Sequence, residues 1–179
     1  MTETLQELVG RFPLAVDPEW VRRQVEVWPG IGTVDVRLEM PGTVWVTATA
    51  VSPRASVPRG VRWQAVAEDG SLAGSLVQPI GPILEEFPID PVELRRGLDV
   101  AHRLERGTGG QVDAVRLLTP ADYEVRLRLA GGERSVSVLV RSAETDGERY
   151  WCQWAVRGEA PPGWADLRWN DRLVTGGGR

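Results

Sequence analysis

The stretch that decides the fold is residues 34–48, VDVRLEMPGTVWVTA. Apolar and charged side chains alternate along residues 34–40, which is the period of a strand with one solvated face. Pro41 and Gly42 mark a turn, and residues 43–51 return as a second strand. The pattern therefore predicts an antiparallel hairpin. We expect the buried face of its second strand to comprise Val44, Val46, Ala48 and Ala50.

A short helix precedes the hairpin. Asp17 is a favourable N-cap residue, and Pro18 fits the first helical position, where the missing N–H has no partner in any case. The turn residues 68–70 separate two further predicted strands, at 61–67 and 71–76. We therefore expect a helix packed on a three- or four-stranded sheet. The apolar stripe of the helix is predicted to contain Trp20, Val21, Val25 and Trp28.

A second unit follows residues 78–82, QPIGP, which break the strand pattern and mark a domain boundary. Asp90 and Pro91 repeat the N-cap pattern of the first helix and predict a second helix that ends at Gly107. The apolar face of this helix is predicted from Leu94, Leu98, Ala101 and Leu104. The elements expected after it are strands at 112–119, 123–130 and 135–141, a short helix at 146–156 for which a strand is the alternative, and a last strand at 164–175.

The predicted fold class is α+β, with two small domains in tandem. Residues 1–77 form the helix–sheet unit, and residues 78–179 form an α+β domain with an antiparallel sheet. A chain of 179 residues with 42% hydrophobic content can bury a sizeable core. The net charge of −4 argues against a nucleic-acid partner, because phosphate binding needs clustered positive charge.

Residues with catalytic chemistry are sparse. His102 is the single histidine, and a zinc site needs several such ligands. Residues 107–110, GTGG, follow a helix, whereas a phosphate-binding loop precedes one. Cys152 lies between Trp151 and Gln153 and is interpreted as a partly buried, inert thiol. We expect no catalytic residue, no metal and no cofactor.

Eight tryptophans are many for this length. Trp20, Trp151 and Trp154 are predicted to be core residues. Trp45 and Trp169 lie in predicted strands and are candidate interface anchors, since exposed aromatic residues are enriched at binding hot spots. For both residues, packing within the chain is the alternative.

The order of these elements resembles the extracytoplasmic part of the bacterial cell-division protein family FtsQ, also called DivIB. Residues 28–31, WPGI, and 41–44, PGTV, are similar to two turn motifs of that family. Residues 77–82, VQPIGP, resemble its linker. The closest likeness is at residues 166–169, DLRW, where the family has D-L-R followed by tyrosine or phenylalanine. Two further departures are Ala50-Val51 in place of Glu-Arg, and a start at Met1 without the family's transmembrane helix.

The resemblance implies that residues 1–77 are a POTRA domain and residues 78–179 the family's β-domain. It also implies a non-enzymatic scaffold for septum formation, anchored in the cell membrane by a single preceding segment, with this region outside the cytoplasm. The expected partners resemble FtsB and FtsL, and FtsB adds a strand beside the terminal strand. The partner-binding residues that this implies are Leu167, Arg168, Trp169, Leu173 and Val174.

Two interpretations from other classes stay open at this point. The first is a soluble α+β binding module for an unrelated ligand or partner, without a membrane link. The second is an enzyme whose site is assembled from scattered carboxylates. A run of about 20 apolar residues encoded upstream of Met1 would separate the anchored scaffold from the soluble module.

Overall fold

The computed structural model of the protein describes residues 16–28, 30–39, 42–131, 135–160 and 163–176. Within these ranges three helices and eleven strands form two sheets, which confirms the α+β class. The turn residue Pro41 and the N-terminal 15 residues of the first predicted domain lie outside the described residues. The helices are α1 (Pro18–Glu26), α2 (Pro91–Thr108) and α3 (Asp146–Val156).

The strands divide unequally between the two sheets. One sheet has two strands, in the order β1-β2, and the other has nine, in the order β11-β10-β9-β8-β7-β6-β3-β4-β5. The strands are β1 (Ile31–Glu39), β2 (Thr43–Ala50), β3 (Pro53–Arg59), β4 (Arg62–Ala67), β5 (Leu72–Leu76), β6 (Ile83–Glu85), β7 (Gln111–Thr119), β8 (Asp122–Arg128), β9 (Ser135–Arg141), β10 (Trp164–Asp166) and β11 (Val174–Gly176).

The predicted helix caps are confirmed. The Asp17 carboxylate accepts a hydrogen bond from the backbone N–H of Glu19 at 3.0 Å. Asp90 likewise accepts from the N–H of Val92 at 2.9 Å, and Pro91 occupies the first position of α2. These bonds satisfy N–H groups that have no partner inside the helix, so each carboxylate defines where its helix begins.

The hairpin β1–β2 forms with the expected pairing, in which Val36 lies opposite Val46. Its buried face is smaller than predicted, because Val46, Ala48 and Ala50 are all exposed. Helix α1 packs against β1, and Val44 is the residue of β2 that packs against the resulting core. That core cluster consists of Val16, Val21, Val25, Val34 and Val36, with Trp20 and Trp28 half-buried against it.

The expectation of one helix on a three- or four-stranded sheet was wrong. Strands β4 and β5 form close to the predicted positions, but they belong to the nine-stranded sheet through β3. The sequence pattern does not predict β3, because this strand contains Pro53 and Pro58, which remove two backbone donors. The division into domains at residues 77 and 78 stays a prediction, and the large sheet continues across it where Ser56 pairs with Ile83.

The main core lies between one face of the nine-stranded sheet and helices α2 and α3. Side chains from β7, β8 and β9 meet the apolar stripe of α2, as the helical spacing predicted. Trp151 of α3 is fully buried there, which confirms its predicted place in the core. The largest fully buried side chains of this core are Trp151, Tyr123, Leu84, Leu94, Leu98, Leu104, Leu127 and Leu167.

A buried ion pair joins α2 to α3. The Glu148 side chain is 1% exposed, and the Arg103 guanidinium donates to both of its carboxylate oxygens, at 2.7 and 3.1 Å. Arg103 also donates to the backbone carbonyls of Arg141 and Ser142, each at 2.7 Å. Burial raises the pKa of Glu148, although the hydrogen bond from Arg103 opposes that shift. The pair therefore positions the start of α3 at the end of β9.

None of the helices in the described residues is both long enough and apolar enough to cross a membrane.

Candidate partner-binding surface

The C-terminal segment forms two short strands where the sequence analysis expected one. Strand β10 pairs parallel to β9 and antiparallel to β11. Between β10 and β11 the chain turns, because the Asp166 carboxylate accepts a hydrogen bond from the backbone N–H of Arg168 at 3.2 Å. The prediction of a single strand over residues 164–175 was therefore wrong. Among the described residues β11 pairs with β10 and with no other strand, so its outer edge faces away from the sheet.

Two of the five predicted binding residues hold the segment in place. Leu167 is fully buried, its N–H donates to the carbonyl of Leu139 at 2.8 Å, and its own carbonyl accepts from the Thr145 hydroxyl. Leu173 is half-buried and packs against the main core. Leu167 thus leaves no surface for a partner to contact, and both leucines instead support the exposed residues around them.

Arg168 is the third predicted residue, and carboxylates hold its guanidinium. Its Nε and one terminal nitrogen donate to Asp166 at 2.9 and 2.8 Å, and its other terminal nitrogen lies 3.4 Å from Asp122. The hydrogen bond from Arg168 lowers the pKa of Asp166, and the same bond raises the pKa of Arg168. This network fixes the loop that follows β10.

Trp169 lies at the surface, with 36% of its area exposed. The Arg172 guanidinium carbon lies 4.6 Å from the centre of the indole, and that of Arg141 lies 5.9 Å away. Both distances are within the range of cation–π attraction. An exposed aromatic ring with two guanidinium groups beside it can bind an apolar side chain and an adjacent carboxylate.

The structure adds Gly147, which the sequence analysis did not identify. A Cβ atom at this position would lie 2.7 Å from the carbonyl oxygen of Trp169 and 3.3 Å from that of Arg172. The first turn of α3 therefore contacts the backbone of the loop that carries Trp169, and a side chain there would displace this loop. The sequence around Gly147 does not indicate this contact, because the two carbonyl groups belong to residues about 20 positions further along the chain.

Two exposed aromatic side chains lie on α3, the helix whose first turn contacts the loop of Trp169. Tyr150 and Trp154 follow Gly147 by three and seven residues, so they lie on the same side of the helix. Tyr150 is exposed and Trp154 is 39% exposed, which corrects the prediction of Trp154 as a core residue. Trp151 has the inward position instead, because it is one residue further round the helix than Tyr150.

Strand β11 contributes the last predicted residue. Val174 is 40% exposed and lies opposite Asp166 of β10. Trp164 packs over Gly176, where any Cβ atom would lie 2.2 Å from the indole nitrogen. We call this region the C-terminal surface, and we define it as Trp164, Trp169, Val174 and Thr175 with Tyr150 and Trp154 of α3.

Other residues with reactive side chains lie elsewhere. Burial raises the pKa of the Cys152 thiol to about 12, so the thiol stays protonated and is a poor nucleophile. His102 lines an open cleft of about 530 Å³ beside α2, together with Asp99, Arg103, Glu105 and Arg106. Among the residues with described positions, no group of three or more histidine, cysteine, aspartate or glutamate side chains could hold a metal ion.

Comparisons with known proteins add no relative. No family model matches the chain, and no curated protein matches its sequence. The class of the protein is therefore given by its α+β fold, and its function is argued from the C-terminal surface.

Proposed function

We propose that the protein is the extracytoplasmic part of a cell-division scaffold of the FtsQ/DivIB type, and that it binds an extended segment of an FtsB-like partner, with an FtsL-like protein, at the C-terminal surface. The observation that supports this most directly is that β11 is an outermost strand of the nine-stranded sheet and that its one apolar side chain, Val174, is 40% exposed. The resemblance of residues 166–169 to the family's D-L-R motif is the reason for proposing the FtsQ/DivIB family. The role is recruitment during septum formation, without catalysis.

Strand addition fits the geometry of β11. The outer edge of a terminal strand offers backbone N–H and C=O groups, and an added strand satisfies them while its side chains alternate between the two faces. Thr175 lies opposite Ala165, which belongs to the main core, so Thr175 is on the face covered by the helices. Val174 lies on the opposite face. A partner strand beside β11 would therefore place one set of side chains toward α3 and the other beside Val174.

The aromatic residues supply the apolar contact that three residues of strand cannot supply alone. Trp169 is already in contact with two arginines, so little conformational freedom is lost when a partner covers it. Arg141 and Arg172 both lie at the surface, and each is loosely paired with a carboxylate of this chain, Asp122 at 3.7 Å and Asp171 at 3.8 Å. A carboxylate on the partner would compete with these long contacts for the two guanidinium groups. We expect the partner segment to combine an apolar anchor with an acidic residue.

The test is a titration of the soluble segment of the FtsB-like protein from the same organism into the 179-residue chain, followed by calorimetry. Trp169→Ala should weaken binding by about 2–4 kcal/mol, because it removes a central aromatic anchor. Trp45→Ala is the matched control, since Trp45 is also exposed but lies on the hairpin β1–β2. Equal affinity of Trp169→Ala and the parent chain would refute the proposed site.

A second variant separates binding from folding. Thr175→Pro removes one backbone N–H from the outer edge of β11, because the backbone of Val174 faces Asp166 of β10 and that of Thr175 faces away from it. Thermal unfolding of Trp169→Ala and Thr175→Pro should remain cooperative, with binding lost in both. Unfolding of Trp169→Ala together with unchanged binding by Thr175→Pro would assign Trp169 to the core and contradict strand addition at β11.

The proposal also includes a membrane anchor that precedes the described region, as the resemblance implies. A run of about 20 apolar residues encoded in frame before Met1 would be long enough to span a bilayer. Its presence or absence is read directly from the upstream reading frame.

A further inference from the structure

Trp45 is the most exposed of the eight tryptophans, with 57% of its area accessible. It lies opposite Arg37 in the hairpin β1–β2, so both side chains point to the same face of the hairpin. Val34 and Val36 of β1 are buried with α1, and side chains alternate along a strand, so this face points away from α1. We call it the outer hairpin face. Its members are Thr33, Asp35, Arg37 and Glu39 of β1 with Thr43, Trp45, Thr47 and Thr49 of β2.

The outer hairpin face is polar except for one aromatic ring. Four of its eight residues are threonine, three are charged, and Trp45 is its only apolar side chain. A surface that packs against another protein usually has an apolar centre made of several residues. A single exposed indole among hydroxyl and charged groups instead fits a ligand that is polar over most of its surface and apolar on one side.

The indole of Trp45 is held in position and remains accessible. Its Nε1–H donates to the Glu39 carboxylate at 2.6 Å. The neighbouring Arg37 is directed elsewhere, since its Nε donates to Asp35 at 2.7 Å. Trp169 differs, because a guanidinium lies 4.6 Å from the centre of its ring, whereas no guanidinium of the described residues lies over Trp45. A ligand that stacks on Trp45 would therefore cost the chain little conformational freedom.

Hydrogen-bonding groups surround this ring in an open cleft of about 610 Å³, which is within the size range of small-molecule sites. Within the described residues, the terminal nitrogens of Arg37 and the hydroxyl of Thr47 have no hydrogen-bond partner. The carboxylates of Asp35 and Glu39 each accept a single bond from the described side chains, so both keep acceptor capacity. The cleft therefore offers donors and acceptors beside an apolar ring. Its lining residues are Asp35, Arg37, Leu38, Glu39, Trp45 and Thr47.

The charges of the cleft favour a neutral ligand. A cation stacked on Trp45 would meet the Arg37 guanidinium, which belongs to the residue opposite the ring. An anion in the same place would meet the Glu39 carboxylate that binds the indole. Like charges in close contact are unfavourable, and a neutral ligand avoids both of these contacts. Hydroxyl groups on the ligand suit the cleft, because a hydroxyl both donates and accepts hydrogen bonds.

We propose that the outer hairpin face binds a neutral oligosaccharide, with one pyranose ring stacked on Trp45. A pyranose ring has an apolar face of C–H groups and a rim of hydroxyls, which matches an indole surrounded by donors and acceptors. The hydroxyls of the stacked sugar bond to Arg37, Glu39 and Thr47. This site is separate from the C-terminal surface, and it does not depend on the function proposed for that surface.

The experiment titrates two neutral probes, cellotetraose and chitotetraose, into the isotope-labelled 179-residue chain and records the indole N–H signals by NMR. The Trp45 signal is assigned as the one that is absent from Trp45→Phe. At least one probe should shift this signal, with a dissociation constant on the order of 1 mM. The signals of the other exposed tryptophans, Trp154, Trp164 and Trp169, should stay unchanged.

Variants are compared through the backbone amide signals of β2, and thermal unfolding checks that each remains folded. Trp45→Ala should weaken binding about tenfold or more, because it removes the stacking surface, whereas Trp45→Phe should retain part of the affinity. Thr47→Val keeps the shape of the side chain but removes a hydroxyl, and should weaken binding about two- to tenfold. Val46→Ala is the matched control and should bind like the parent chain, since Val46 is the next residue of β2 and lies on the opposite face.

Three results would overturn the proposal. The first is that neither probe shifts the Trp45 signal at concentrations up to about 20 mM. The second is a parent-like affinity of Trp45→Ala, or of Thr47→Val if Trp45→Ala does not fold. The third is a shift of the Trp45 signal by tetramethylammonium and by neither sugar, which would assign a cation site to the same cleft.

Discussion

Asp166 has two structural roles that depend on its charge. Its carboxylate accepts from the backbone N–H of Arg168, which turns the chain out of β10, and it binds the Arg168 guanidinium through two further hydrogen bonds. These bonds lower its pKa below the ordinary value of 3.8. The loop that carries Trp169 thus depends on one ionised side chain.

The pH dependence of stability should reflect this carboxylate. Because the pKa of Asp166 is lower in the folded chain, the unfolded chain binds more protons in the window below 3.8. The contribution of Asp166 is therefore present above that value and is lost as the pH falls through the lowered pKa. We expect Asp166→Asn to be less stable than the parent chain at pH 6, and the difference to narrow below pH 3.8. Urea unfolding at several pH values measures this, and a constant difference would contradict it.

The three tryptophans that were predicted to be core residues show that residue type alone does not predict burial. Trp151 is fully buried, Trp20 is half-buried and Trp154 is exposed. Trp151 and Trp154 are three residues apart in α3, so spacing predicts that they share a face. Which of them points inward depends on how α3 packs on the sheet, and that packing involves residues distant in the chain.

At the scale of elements, α2 and the segment after β6 meet at a glycine. A Cβ atom at Gly97 would lie 2.5 Å from Cζ of Phe87 and 3.3 Å from the side chain of Leu84. Phe87 is buried and also stacks on Tyr123, with the ring centres 6.1 Å apart. Gly97 therefore permits a close approach of α2 to Phe87, although glycine is a poor helix former.

In Gly97→Ala, the cost of disturbed packing should exceed the gain in helix propensity. The substitution improves intrinsic helix propensity by about 1 kcal/mol, but it forces the Phe87 ring to move in a filled core. We expect a net loss of about 1–3 kcal/mol in the free energy of unfolding by urea. Asp99→Ala, on the exposed side of the same helix, is the control and should be close to neutral. A stabilised Gly97→Ala variant would mean that the contact relaxes at no cost.

At the scale of the whole molecule, one residue joins the two parts of the nine-stranded sheet. Ser56 is fully buried in β3, where it pairs with Ile83 of β6. Its hydroxyl donates to the carbonyl of Ile80 and accepts from the N–H of the same residue, both at 2.8 Å. The backbone N–H of Ser56 donates to the carbonyl of Pro82 at 3.1 Å. The loop 78–82 is thereby bound to β3.

Ser56→Ala should weaken this junction measurably. The substitution leaves the N–H and the carbonyl of Ile80 without their side-chain partner, and a partly buried polar group without a hydrogen bond costs about 1–3 kcal/mol. We expect the temperature of unfolding in calorimetry to fall accordingly. Ser52→Ala, at an exposed position before β3, should leave it unchanged. If both variants unfold at the parent temperature, the hydroxyl does not hold the two parts of the sheet together.

Much of the local structure was predictable, because its causes are local. The caps Asp17 and Asp90 bond to backbone groups two residues away, and the period-2 alternation of β1 needs only its own side chains. The short helix 146–156 was predicted with its exact bounds. Strand β3 and the break between β10 and β11 were missed, since Pro53 and Pro58 oppose strand propensity and Asp166 turns the chain by one side-chain bond.

The α+β class, the start of each helix and the pairing of β1 with β2 follow from the order of the residues, because they depend on interactions between residues near each other in the chain. Only long-range packing shows which sheet β4 and β5 join, that Leu167 is buried while Trp169 and Trp154 are exposed, and that Gly147 contacts the loop of Trp169. Each of these depends on the packing of segments far apart in sequence, and no local pattern encodes which of two apolar faces such a segment will cover.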